Sequence, residues 1–131
     1  MIGLLIVTHC DLGKEFLKAA EFIVGRLDAA EAVSINQISD SDEIRKSIED
    51  KVTALDNGQG VLILTDMFGG TPSNLSLSFL KEQMVEVLTG VNLPMVMSIA
   101  QNRSEMSLEE LAEKAQEAGK MSISLAGKML E

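Results

Sequence analysis

Two short, uninterrupted apolar runs constrain this chain more than any other feature. One occupies residues 2–8, Ile2-Gly3-Leu4-Leu5-Ile6-Val7-Thr8, and the other is Val61-Leu62-Ile63-Leu64-Thr65; each gives way at once to polar, reactive side chains. Runs of this length, rich in branched residues and lacking polar alternates, suit strands covered on both faces, as in a parallel sheet with helices on either side. They fall far short of the roughly 20 residues a membrane-spanning helix needs. Between them the hydrophobic period changes. Beyond a turn around Asp11-Leu12-Gly13, Phe16, Ala20, Ile23 and Leu27 recur at spacings of three and four, which predicts one stripe of a helix.

The same alternation of periods continues along the chain. Residues 32–38 read as a short second strand. Asp40 and Glu43 form a capping pair for a helix whose inner stripe is Ile44, Ile48, Val52 and Leu55, ended by Asn57-Gly58-Gln59-Gly60. After the second apolar run, residues 66–74 predict a loop opening a helix, with Thr71 as the cap, Pro72 at the first helical position, and Leu75, Phe79 and Leu80 as its apolar face. Val85-Glu86-Val87-Leu88-Thr89 reads as a fourth strand, closed by Gly90-Val91-Asn92, and Pro94 opens a short helix. Ser107 and Glu110 have the spacing of a capping box for a last helix, with Leu108, Leu111, Ala112 and Ala115 inward and Gly119 at its end. Met121-Ser122-Ile123-Ser124-Leu125 then alternates like an edge strand. Strand–helix alternation of this kind implies one α/β domain over residues 1–131, a doubly wound, mostly parallel sheet of four strands with helices on both faces.

Composition excludes several functions. A formal charge of −9 disfavours direct binding to nucleic acid or insertion among anionic lipids, because phosphate selects Lys and Arg. Four Phe with no Trp or Tyr cannot build a base-stacking surface. The single cysteine, Cys10, cannot form an internal disulfide, and the apolar start lacks a basic leader, so a reduced, cytoplasmic setting is expected.

In an open α/β sheet, ligands bind beyond the carboxyl ends of the strands, where the strand order reverses. The ends of the first and third strands carry the most reactive residues of this chain. His9, its only histidine, is by type a nucleophile or base at cellular pH; taken alone it reads equally well as a polar residue satisfied by backbone. Asp66 is a carboxylate suited to hold one ring nitrogen of His9, leaving the other lone pair free, or else a loop aspartate bonded to its own turn. Gly69, Gly70, Thr71 and Ser73 compose a candidate anion cradle: two glycines allow close backbone approach, a helix start aims N–H groups outward, and two hydroxyls add donors. By itself this is a Gly-rich turn, without the Lys and spacing of a nucleotide P-loop. Together the three elements point to phosphohistidine chemistry, with the phosphoryl group arriving on another protein. Thr8, Cys10, Met67 and Phe68 would form the pocket wall. Cys10 is expected to be a small packing residue rather than a nucleophile, since adjacent strand residues face opposite sides. The eight Met are expected to be core filler. One His with one Cys makes a structural zinc site implausible, and no metal or cofactor is expected.

Three stretches carry a family resemblance: Ile6-Val7-Thr8-His9, Asp66-Met67-Phe68-Gly69-Gly70-Thr71-Pro72-Ser73-Asn74, and Gly90-Val91-Asn92-Leu93-Pro94-Met95. In their order and separation the chain resembles the mannose-type enzyme IIA domains of the bacterial sugar phosphotransferase system. The resemblance implies that His9 accepts a phosphoryl group from the phosphohistidine of the carrier protein HPr and passes it to an enzyme IIB partner, with Asp66 hydrogen-bonded to His9. It further implies a homodimer in which the last strand, residues 120–125, runs antiparallel and pairs with the other subunit. Cys10 stands where many members have Gly, and Phe68 where some have Trp. Because the sequence ends at Glu131 with no fused IIB domain, the IIB partner is expected to be a separate polypeptide. The sugar, which other components select, is not legible here.

Two other phosphoacceptors are compatible with such a fold: the phosphocarrier subunit of a dihydroxyacetone kinase, and a receiver-type domain phosphorylated on Asp66. The Phe68-Gly69-Gly70-Thr71-Pro72 segment looks more like the sugar transporter branch. A receiver would need a pair of acids after the first strand, where Asp11 is only one. A flavin-binding module would need aromatic residues that the chain lacks.

Overall fold

Both apolar runs become central strands. The structure, a computed structural model, describes residues 1–36, 40–81 and 84–131. Its strands are β1 (Gly3–His9), β2 (Ala30–Ile35), β3 (Val61–Thr65) and β4 (Val85–Thr89), paired in the order β2-β1-β3-β4. All three pairings are parallel, with Val7 opposite Val33 and Thr65, and Thr65 opposite Thr89. Six helices complete the described chain: α1 (Leu12–Val24), α2 (Ser41–Leu55), α3 (Thr71–Leu77), α4 (Leu93–Asn102), α5 (Leu108–Met121) and α6 (Ala126–Met129).

Side chains of β1 alternate between two cores. Leu4 and Ile6 pack with Leu62 and Leu64 of β3 against Ala20 of α1, Val96 and Ile99 of α4, and Leu111 and Ala115 of α5. Leu5 and Val7 pack with Val61 and Ile63 against Ile44 and Ile48 of α2. This two-sided burial explains the unbroken apolar runs, since a solvated face would have demanded polar alternates. Removing each such side chain from water contributes about 1.5–3 kcal/mol, so the central strands dominate the stability of the domain. Gly13 permits α1 to lie close to the sheet: a Cβ there would stand 2.9 Å from the Ile6 carbonyl oxygen.

The helix signals resolve with specific corrections. The Ser107–Glu110 capping box forms in both directions. Asp40 caps α2 by accepting from the Asp42 N–H, without a reciprocal bond from Glu43. Gly70, not Thr71, is the N-cap of α3, so Pro72 is its second residue; α3 ends at Leu77, leaving Phe79 packed and Leu80 exposed. In α1, Phe16 and Ala20 face the core but Ile23 is exposed, and the helix ends at Val24, so that Leu27 packs from the loop beyond. Strand β2 begins two residues earlier than predicted and ends at Ile35; residues 37 and 38 of the expected strand lie outside the described residues.

Gly119 does not terminate α5, which runs on to Met121. Its role is a close approach, since a Cβ would lie 2.8 Å from Met95 Cε. The expected antiparallel edge strand at residues 120–125 is likewise absent from this chain: residues 120 and 121 finish α5, residues 122–125 are irregular, and α6 follows. A strand needs a hydrogen-bonding neighbour, and this segment pairs with none of the four strands within its own chain.

One buried charge had no signal in the hydrophobic pattern. Arg103, the C-cap of α4, donates from Nη1 to the Ala29 carbonyl at 3.0 Å and from Nη2 to the Asp28 carbonyl. It anchors a turn in which Ala29 adopts φ 50°. Burial lowers the affinity of the guanidinium for its proton, and the nearby Asp28 charge opposes that effect.

Candidate active site at the carboxyl ends of β1 and β3

Strand β1 connects to β2 on one side while β3 pairs on its other side, so the loops after β1 and β3 diverge and leave a crevice. His9, the last residue of β1, and Asp66, the first after β3, meet there across 57 positions of sequence. The ring Nδ1 lies 2.7 Å from Asp66 Oδ2, and the same oxygen accepts the His9 backbone N–H at 2.9 Å. Oδ1 accepts the Met67 N–H at 3.1 Å. A carboxylate whose two oxygens both accept requires that Nδ1 carry the imidazole proton, which leaves the Nε2 lone pair free. The His9 side chain is 45% exposed and that of Asp66 only 13%, so the acid is anchored while the ring presents its far nitrogen to solvent.

The loop around this pair is built from the residues flagged in the sequence, in unequal roles. Gly70 lies directly against the ring and leaves no space there for a side chain. Gly69, at φ 88°, occupies the left-handed region that glycine alone adopts freely. No side chain caps α3. The Gly70, Thr71 and Ser73 amides therefore have no acceptor within the helix, and Pro72 has no N–H to satisfy. Thr71 is exposed, whereas Ser73 is fully buried and its hydroxyl has no hydrogen-bond partner.

Met67 and Phe68 are exposed beside the pair. Thr8, expected in the pocket wall, is fully buried and works instead on the β1–α1 turn, its Oγ1 accepting the Gly13 N–H at 2.8 Å and donating to the Cys10 carbonyl at 3.3 Å. Cys10 is exposed, which corrects its expected role as a packing residue; its backbone sits at φ 51° with its N–H bonded to the Ile35 carbonyl. The chain must turn left-handed here to leave β1 for α1, and the departure from Gly in the family pattern was the one sequence signal of it. Asp11, the acid a receiver would recruit, is exposed and pairs with Lys14 at 3.8 Å. A separate groove of about 700 Å³ lies at the opposite, amino-terminal end of the strands, among Gln59, Glu86, Met106 and Glu109, away from this chemistry.

Asn92, named in the sequence only as part of the segment after β4, has a role that its spacing did not reveal. It caps α4 by accepting the Met95 N–H at 3.0 Å, and its Nδ2 donates to the Gly119 carbonyl at 3.0 Å. An Asn directly before Leu-Pro is a helix-start signal that was available in the sequence.

A parallel α/β domain presenting a carboxylate-anchored imidazole at its switch point has close counterparts among known proteins. Residues 3–116 match the family described as PTS system fructose IIA component. The PTS system sorbose-specific EIIA component of Lacticaseibacillus casei is 33% identical over 112 residues, covering 82% of this chain and 78% of that protein. The PTS system fructose-specific EIIA component of Bacillus subtilis is 26% identical over 132 residues, covering 100% of this chain and 90% of that one. The crystal structure of phosphotransferase system component EIIA from Streptococcus agalactiae superposes with a TM-score of 0.89 at 25% identity, covering 98% of this chain and 99% of the other. The chain therefore belongs to the mannose/fructose/sorbose-type family of enzyme IIA components of the sugar phosphotransferase system. Among the described residues, no helix is long and apolar enough to cross a membrane.

Proposed function

We propose that this protein is a phosphohistidine carrier, taking a phosphoryl group onto His9 from phosphorylated HPr and passing it to an enzyme IIB component. The observation that carries the reading is the 2.7 Å contact between Nδ1 and Asp66 Oδ2 in a ring whose other edge is open. The free Nε2 lone pair attacks phosphorus of the donor phosphohistidine; the new N–P bond forms as the donor's N–P bond breaks, and the donor imidazole departs with that electron pair. No proton has to move on His9, because Nδ1 keeps its proton and donates it in a hydrogen bond to Asp66, whose charge stabilises the positive ring of the intermediate. On this reading the amides of Gly69, Gly70 and Thr71 receive the phosphoryl oxygens, a role supported by the contact of Gly70 with the His9 ring and by the free amides at the α3 start. Ser73, buried at the start of α3, is assigned a supporting role through its amide and its unpartnered hydroxyl.

Asp66 is poorly suited to be the acceptor itself, since three hydrogen bonds already occupy its oxygens. The sugar is left to the other components: the relatives above carry names for both sorbose and fructose. A homodimer fits the open edge of β4 and the exposed Met121, Ile123 and Leu125 of the alternating C-terminal segment, because an antiparallel strand from a second copy would cover both.

The test is phosphoryl uptake from labelled phospho-HPr. The native protein should acquire an acid-labile, base-stable label that His9→Ala does not, whereas label retained by His9→Ala, or released by mild base as an acyl phosphate would be, would overturn the assignment.

A further inference from the structure

The segment Gly90-Val91-Asn92-Leu93-Pro94-Met95 has no part in the chemistry above, yet it bonds directly to the strand that carries Asp66. The Gly90 and Val91 N–H groups both donate to the Thr65 carbonyl, at 2.9 and 3.0 Å. Gly90 adopts φ 84°, which lets two successive amides converge on one oxygen. That oxygen belongs to the peptide joining Thr65 to Asp66. A peptide is planar, so holding its oxygen from two directions fixes the Asp66 N–H and places the Asp66 Cα, the point from which its side chain departs. Asp66 must aim one oxygen at two donors of His9, so a small rotation of this plane would misdirect it.

The loop is in turn held from the far side. Asn92 follows the two donor residues, and its amide spans two helices, accepting from Met95 of α4 and donating to the Gly119 carbonyl of α5. A Cβ on Gly119 would stand 2.8 Å from the flexible tip of Met95 and in ordinary contact, at 3.4 Å, with Asn92 Oδ1. The bonds form one continuous path, from α5 through Asn92, the Gly90–Val91 amides and the Thr65 carbonyl to Asp66 and His9.

We infer that Asn92 is a positioning residue for His9: by tethering the β4–α4 loop to α5, it holds the Thr65–Asp66 peptide in the orientation that keeps the imidazole proton on Nδ1. The functional consequence rests on the phosphocarrier reading, but the structural one does not. The experiment compares the native protein with Asn92→Ser and Asn92→Asp. Both replacements are good helix caps, so α4 keeps its first turn while the donation to Gly119 is lost. Nitrogen-15 NMR of the unphosphorylated protein reads the His9 tautomer, and phospho-HPr reads the uptake rate.

The expected result is a loss of the Nδ1–H form in both variants with uptake slowed about tenfold, the scale of a sub-ångström misplacement of a reacting group. In the native protein, the Gly90 and Val91 amides should exchange with solvent as slowly as strand amides. A native tautomer in the variants, or fast exchange at those two amides in the native protein, would overturn the inference, and the second result would do so even if neither variant folds. A shifted tautomer with no uptake by any form, the native protein included, would support the positioning role and sink the phosphocarrier reading instead.

Discussion

Gly70 and His9 stand at the limit of van der Waals approach: a Cβ on Gly70 would lie 2.9 Å from His9 Cε1 and 3.5 Å from Nε2. The backbone of Gly70 has φ −86° and ψ 169°, an extended conformation that any residue adopts, so the glycine is explained by the ring beside it and not by torsional need. Gly70→Ala isolates that steric term. It should leave the thermal midpoint nearly unchanged while slowing phosphoryl uptake by about 10–100-fold, because the methyl group displaces the nucleophilic edge. Stopped uptake assays beside a melting curve check both halves.

Asp66→Asn creates a conflict that the structure makes explicit. An amide oxygen placed at Oδ2 would keep both His9 bonds but aim its NH2 at the Met67 N–H, and the flipped amide would satisfy Met67 while opposing both His9 donors. Either orientation also removes the charge that stabilises a phosphorylated ring. Uptake should fall about 10–100-fold, the scale seen when the partner orienting a histidine is removed. Circular dichroism should show the fold retained.

Cys10→Gly should stabilise the domain. Holding a side chain at φ 51° costs about 1 kcal/mol, which glycine avoids, though its greater freedom in the unfolded chain offsets part of the gain. A thermal midpoint raised by a few degrees is expected, with uptake within about twofold of native since no donor or acceptor changes. An unchanged or lower midpoint would show that the thiol makes a compensating contact.

Glu110 gives the acid limb of stability a defined contributor. Its carboxyl is held below its ordinary 4.5, first by the Ser107 backbone N–H and then by the Ser107 side chain. Folding therefore favours the ionised form. That stability is complete above the ordinary value and is lost as pH falls through the lowered one. Glu110→Gln keeps the geometry of the capping box without titrating, so its thermal midpoint should decline less steeply than the native one below about pH 4.5.

The elements that sequence patterning located best are those whose burial is simplest. Strand β3, apolar on both faces and flanked by two strands, has the boundaries read from Val61-Leu62-Ile63-Leu64-Thr65, and β4 those read from residues 85–89. Burial is not the whole account, since β2 and β4 are both half-buried edge strands and only the limits of β2 moved. Gly119 misled because glycine is a general helix terminator, whereas here its reason is a tertiary contact with Met95 that no local pattern encodes. The alternation at residues 121–125 was real, but alternation specifies a strand only where a neighbour exists to pair with it. For the site, the fold rule brought His9 and Asp66 to one end of the sheet; the two bonds that one carboxylate oxygen accepts from the same histidine, and the burial of Thr8 and Ser73, depend on side-chain packing beyond the reach of spacing arguments.

The two halves of the imidazole–carboxylate pair belong to the interior strands of the sheet, and the outer strands stand between them and the margins. Local opening of a folded domain begins at frayed ends and exposed margins and reaches the centre last. The two strands that bring the pair together should consequently open late, and a chain in which they are not yet paired would have no competent centre at all. On the proposed carrier reading, readiness to react is thus tied to the integrity of the two central strands, so that a nascent or damaged copy would make a poor drain on the phosphoryl supply.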